Sequence, residues 1–176
     1  VEPVVEEPKP QPIANVNEVQ IEEIEEILNS ASKQRKARLQ TIWKQIGLDY
    51  SGVFIAQILV AGEIVAVNEN RLIVVLNDLG FCNRLMRYEN YQKIMEIFET
   101  FHADIEDYIC IPKATWNKIR ADYMSKYSQE NPIVHLEKIK IGVLKRVEPE
   151  HIEMKDEHFE QLSLLVDKEK IETVED

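Results

Sequence analysis

Ile64-Val65-Ala66-Val67-Asn68-Glu69-Asn70-Arg71-Leu72-Ile73-Val74-Val75-Leu76 is the stretch that decides the fold. β-Branched residues dominate Ile64 to Val67, the polar group Asn68, Glu69, Asn70 has the composition of a turn, and Leu72 to Leu76 runs without a polar break. This is the best hairpin signal in the chain. Its second strand leaves no position for a solvent side and is expected to be buried on both faces.

N-terminal to the hairpin the period changes to that of a helix. Ile21, Ile24, Ile27 and Leu28 fall on one helical face among glutamates, and the pattern resumes with Leu39, Ile42, Trp43 and Ile46 after the polar stretch Ser30 to Arg38. This reads as one long helix or two joined ones, with Gly47 as a natural stop. Asp49 or Ser51 can then cap a short helix whose Phe54, Ile55, Ile58 and Leu59 face inward and which ends at Gly62.

Beyond the hairpin, Asp78 caps a helical stretch carrying Leu79, Cys82, Leu85 and Met86, and a second carries Tyr91, Ile94, Met95, Phe98 and Phe101 after a corner at Glu89 and Asn90. Ile105, Ile109 and Ile111 alternate with more polar neighbours, so Asp104 to Ile111 is expected as a third strand. Pro112 stops it before a helix striped by Trp116, Ile119, Tyr123 and Tyr127. Asn131-Pro132 is a cap and first-turn pair, so Ile133 to Leu144 is expected to be helical, with the alternation of Ile139, Ile141 and Val143 favouring a strand as the alternative. The fold class expected is α+β, a small three-stranded sheet packed by helices.

With 176 residues and 44% hydrophobic side chains the chain can bury one core. Net charge is −11, unevenly placed. Residues 1–30 hold eight acids and one lysine, residues 147–176 eleven acids and three lysines, and residues 31–146 seventeen bases against thirteen acids. The organisation read from this is an acidic, proline-containing linker over 1–20, a domain over 21–146 with its core in 31–146, and an acidic tail over 147–176. Val1 and the prolines that follow it suggest an excised piece entered through a linker. No run approaches 18 apolar residues and the N-terminus is acidic, so neither a membrane span nor a signal peptide is expected, and the expected location is the cytoplasm.

Cys82 and Cys110 sit in apolar stretches and are expected to be reduced core residues, a disulfide between them being the minor alternative. The five glycines are too widely separated for a phosphate-binding loop, and there is no GxSxG elbow, HExxH pair or GxGxxG turn. His151 and His158 could meet on adjacent helical turns, but no metal is expected, nor any cofactor or catalytic residue. Carboxylates such as Glu106 and Asp107 point to opposite faces of a strand and read as surface charge.

Interaction candidates remain. Trp116, Arg120 and Tyr123 on one helix can form a binding face, because aromatics and arginine dominate interface energies; the rival reading is a core stripe. Phe159, Leu162, Leu165 and Val166 form an apolar stripe within the acidic tail and either dock on a partner or fold back on their own domain. Lys33, Arg35, Lys36 and Arg38 are a solvated basic face or, alternatively, a nucleic-acid contact.

From Trp43 to Tyr127 the chain resembles the C-terminal domain of the tau/gamma subunit of bacterial DNA polymerase III, in its Gram-positive or mycoplasma-like form. The resemblance rests on the element order, on a helix opening with Phe81 and Arg84, and above all on Trp116-Asn117-Lys118-Ile119-Arg120, which is similar to the family's W-x-x-(V/I)-R segment. Asn131-Pro132-Ile133-Val134 followed by Ile152-Glu153-Met154-Lys155 is similar to the family's ending. The resemblance implies a truncated fold similar to type II KH domains and a non-catalytic scaffold role in the replisome. The partners it implies are the replicative DNA polymerase catalytic subunit and the replicative helicase, held to the clamp loader. Carried over, polymerase contact falls on Phe159 to Val166. A KH-like nucleic-acid binder is the alternative, although the GxxG loop such domains use is missing.

Overall fold

The computed structural model describes residues 18–146. Within them the elements run α1 (Ile21–Asn29), α2 (Lys33–Asp49), α3 (Phe54–Ala61), β1 (Glu63–Val67), β2 (Arg71–Leu76), α4 (Leu79–Leu85), α5 (Tyr88–Thr100), β3 (Asp107–Pro112) and α6 (Lys113–Lys126). The class is α+β, with a three-stranded mixed sheet ordered β1-β2-β3.

The hairpin forms where its period places it. β1 and β2 pair antiparallel with a bulge between Ile64 and Ala66. Asn68 closes the turn: its Oδ1 accepts from the backbone N–H groups of Asn70 (3.0 Å) and Arg71 (2.6 Å), the substitution of side chain for backbone that makes asparagine a turn residue. β2 is buried from Leu72 to Leu76 because it is the central strand, with β3 parallel on its other edge. Parallel neighbours need a crossover, and the pair α4 and α5 supplies it.

The long N-terminal helical pattern is two helices. Ser32 ends the connection and caps α2, its hydroxyl accepting from the Arg35 N–H at 3.1 Å. Ile21, Ile24 and Ile27 of α1 are buried in the same core as the sheet, each contributing about 1.5–3 kcal/mol by leaving water. α2 continues through Gly47 to Asp49, and α3 starts after Val53 without a side-chain cap, so neither Asp49 nor Ser51 has that role. Asp78 does cap α4, accepting from the Phe81 N–H at 2.9 Å. The break between α4 and α5 falls at Met86 and Arg87, earlier than Glu89 and Asn90; Met86 is fully buried and Arg87 is extended at φ −66°, ψ 152°. The third strand starts at Asp107 rather than Asp104, because His102 and Asp104 take left-handed conformations (φ 53° and 60°) that no strand accommodates.

The clearest departure from the sequence reading is residues 133–144, which form neither helix nor ladder strand apart from one bridge at Leu144. Residues 133–146, this segment with Lys145 and Arg146, are a strap lying along α1. Asn29 pairs both backbone groups of Val134 (2.9 and 3.0 Å), Glu25 accepts from the Leu136 N–H (2.7 Å), and Glu18 from the Gly142 N–H (3.0 Å). Lys138 pairs with Glu22 and Lys145 with Glu23, so three of the four glutamates of α1 are partnered by the strap, and the fourth, Glu26, pairs with Arg71 of β2. Backbone amides satisfied by carboxylates and an asparagine have no need of a helix's own carbonyls, and the cap signal at Asn131-Pro132 is overridden. Gly142 sits at φ +84°, where an L-side chain is strained. Glu18 and Val19 are buried too, and the Val19 N–H donates to the Val143 carbonyl at 2.8 Å, so the packed structure includes residues assigned by composition to the linker.

Candidate interaction surface

α3 turns Ile55, Ile58 and Leu59 into the core, and this rotation leaves Phe54, the first residue of the helix, 62% exposed. The inward position expected for Phe54 is thus wrong: Ala56 is buried with Ile55, Ile58 and Leu59, and the helix is rotated so that Phe54, at the edge of the apolar stripe, stays in water. α4 does the same with its first turn, burying Cys82 and Leu85 and leaving Leu79 and Phe81 each 42% exposed. Between the two helices and the end of β2 lies an open groove of about 530 Å³, with Phe54 and Phe81 on its walls, Ile58 and Leu76 at its base and Lys113 at its end. The Arg84 guanidinium lies 5.6 Å from the centre of the Phe54 ring, within cation–π range. Phenylalanine and arginine are among the side-chain types enriched in protein interfaces.

The residues singled out from sequence are distributed differently. Trp116 and Ile119 are in the core, Arg120 is exposed, and Tyr123 is half-buried and stacked on Tyr127 at 5.8 Å between ring centres. Burial, with the neighbouring Tyr127 second, pushes the Tyr123 hydroxyl up from its ordinary value. Trp116 therefore serves packing, and Arg120 and Tyr123 are what α6 offers outward. Phe159, Leu162, Leu165 and Val166 lie outside the described residues, as do His151 and His158.

In the basic cluster, Arg35 is spent internally. Its Nη2 donates to the Glu69 carbonyl (2.7 Å) and the Asp104 carbonyl (2.8 Å), and its Nε to the Asn68 carbonyl (3.3 Å). Arg38 donates to the His102 carbonyl (3.1 Å) and to Asp104 Oδ2 (3.3 Å). The two arginines clamp the hairpin turn and the left-handed turn before β3 to the start of α2. Lys33 is exposed and Lys36 half-buried. Beside this clamp runs a second open groove, about 1090 Å³, whose floor holds Tyr91 and Met95 and whose rim carries Glu69, Glu96, Glu99 and Glu106. Its carboxylates repel a phosphate backbone.

Two further clusters of reactive side chains are present, one half-buried and one fully buried. Arg146 stacks 4.4 Å over the Tyr91 ring and pairs with Asp107, to which the Tyr91 hydroxyl also donates at 2.8 Å. Burial raises the Tyr91 hydroxyl above its ordinary value, and this cluster pins the end of the strap. Cys82 of α4 and Cys110 of β3 are fully buried free thiols with their sulfurs 3.4 Å apart. Among the described residues no group of three or more His, Cys, Asp or Glu side chains is placed to hold a metal ion, and no helix is long and apolar enough to cross a membrane.

No protein family, curated protein or solved structure matches the chain. What the fold and the surface define is a small α+β domain with a mixed sheet and an exposed aromatic groove. The groove was missed in the sequence because helical periodicity marks Phe54 and Ile58 as one stripe and carries no information on where the neighbouring helix ends.

Proposed function

We propose that this chain is a non-catalytic replisome scaffold module that tethers the replicative DNA polymerase, and the replicative helicase with it, to the clamp loader. The observation that carries the reading is the groove walled by Phe54 and Phe81, with Arg84 beside the Phe54 ring, where two exposed phenylalanines meet in one concave apolar face. The W-x-x-I-R segment supports it in a second way: Trp116 and Ile119 are core residues here, so the motif is one a shared fold would require. The finer fold assignment, a truncated type II KH-like domain, is supported by the mixed sheet in which a helix pair joins the parallel neighbours β2 and β3.

Direct nucleic-acid binding is the weaker use of such a fold here. The junction of α4 and α5 is closed by the buried Met86, Arg35 and Arg38 are engaged with backbone carbonyls, and the larger groove is rimmed with carboxylates.

Calorimetric titration with the polymerase catalytic subunit tests the proposal, using the full chain, the double variant Phe54→Ala/Phe81→Ala and a form truncated after Lys155. Binding lost in the double variant assigns the groove, and binding lost in the truncated form assigns Phe159 to Val166. Failure of the full, folded chain to bind removes the tethering reading.

A further inference from the structure

We infer that Cys82 and Cys110 form a reversible intramolecular disulfide, a modification site that cross-links the wall of the aromatic groove to the sheet. The inference concerns the domain itself and stands or falls separately from polymerase tethering.

The geometry comes from the register of α4 on β3. Cys82 and Leu85 lie one helical turn apart, and Tyr108 and Cys110 two residues apart on one face of the strand. The Tyr108 hydroxyl donates to the Leu85 carbonyl at 2.6 Å, while the Cys82 and Cys110 sulfurs meet at 3.4 Å. Two contacts in register fix helix against strand, so the thiols are held together by the fold rather than by chance rotamers. Both are free and fully buried. The residue before Cys82 is Phe81, whose ring faces the groove, so a cross-link at Cys82 immobilises that wall.

The oxidant is a hydroperoxide, small enough to enter when the two-turn α4 opens locally. One cysteine sulfur attacks a peroxide oxygen; the O–O bond breaks, hydroxide leaves and takes the thiol proton as water, and a sulfenic acid remains. The second sulfur attacks it, the S–S bond forms, the S–O bond breaks, and hydroxide leaves with the second proton as water. Two thiols and one hydrogen peroxide give one disulfide and two waters. The neighbouring sulfur intercepts the sulfenic acid before a second peroxide can reach it, because the attack is intramolecular and reclosing of α4 returns the two sulfurs to contact. Burial, with Cys82 beside it, pushes the Cys110 thiol well above its ordinary value, so oxidation is slow at neutral pH and faster as pH rises.

The test incubates the reduced full chain with hydrogen peroxide for longer than the α4 amides take to exchange, then alkylates in denaturant and maps peptides by mass. The expected product is monomeric, has lost two hydrogens, has no alkylatable thiol, joins the peptides of Cys82 and Cys110, and reverts with dithiothreitol. Its melting temperature is higher by about 5–10 °C, as closing a loop of this length predicts, and its α4 amides exchange at least tenfold more slowly. Cys82→Ala and Cys110→Ala each give a single oxidised or alkylated thiol instead, and the wild-type map needs neither variant to fold. Two free thiols after the incubation, sulfinic or sulfonic acids, an intermolecular dimer, or a cross-linked product that melts lower would each overturn the inference.

Discussion

Gly62, where α3 meets β1, permits a calculation of sign as well as size. A Cβ built there would lie 2.5 Å from Val74 Cγ1, 2.8 Å from Leu76 Cδ2 and 3.1 Å from the Val75 carbonyl oxygen, all on β2. The backbone is ordinary, φ −81° and ψ 161°, so alanine meets no conformational penalty. Alanine in place of glycine gains about 0.4–1 kcal/mol by restricting the unfolded chain. Against that, forcing a methyl into a filled core costs about 1–3 kcal/mol, and the upper part of that range applies because the Val75 carbonyl is in the central strand and cannot give way. The net expectation for Gly62→Ala is a loss of about 1–2 kcal/mol, near a 1 M fall in the urea midpoint at an unchanged slope. Trp43 is a convenient probe, since its indole N–H donates to the Gly62 carbonyl at 3.2 Å. Gly52 is the matched control: nothing lies within 4 Å of its Cβ position, so Gly52→Ala should raise the midpoint by a few tenths molar. Gly62→Ala as stable as the wild type, or both variants shifting in one direction, would refute the packing argument.

Three further outcomes follow from the strap and its clamps. Asn29→Ala removes both hydrogen bonds to the buried Val134 and should cost about 1–3 kcal/mol in chemical denaturation, with hydrogen exchange accelerated first across residues 133–136. Arg35→Ala strips the clamp from the left-handed Asp104 turn and should destabilise by a similar amount, while Lys33→Ala/Lys36→Ala leaves stability within about 0.5 kcal/mol; equal effects of the two would show that Arg35 is not structural. The Glu137 N–H holds the Asp122 carboxyl below its ordinary value, and Lys138 does the same for Glu22. Groups depressed in the folded state stabilise above their unfolded pKa and lose that contribution as pH falls through the folded one. The melting temperature should therefore be level down to about pH 5 and drop below about pH 4, with a shallower drop in Asp122→Asn.

Local pattern determined much of the architecture. The run from Ile64 to Leu76 specifies a hairpin with a buried second strand because alternation, β-branching and an asparagine turn all act within a dozen residues, and Asp78 specifies the start of α4 through one side chain and one N–H. Tertiary structure alone decided the rest. The parallel pairing of β2 with β3 joins residues separated by a whole crossover. The strap at 133–146 took its extended form from the glutamates and asparagine of α1, more than a hundred residues earlier, against its own helix-start signal. The same holds for the surface: which edge of an apolar stripe stays in water, as with Phe54 and Phe81, and which two thiols touch, as with Cys82 and Cys110, depend on the relative placement of helices. Periodicity reports the direction of a side chain about its own helix axis, and contact is a property of two axes at once.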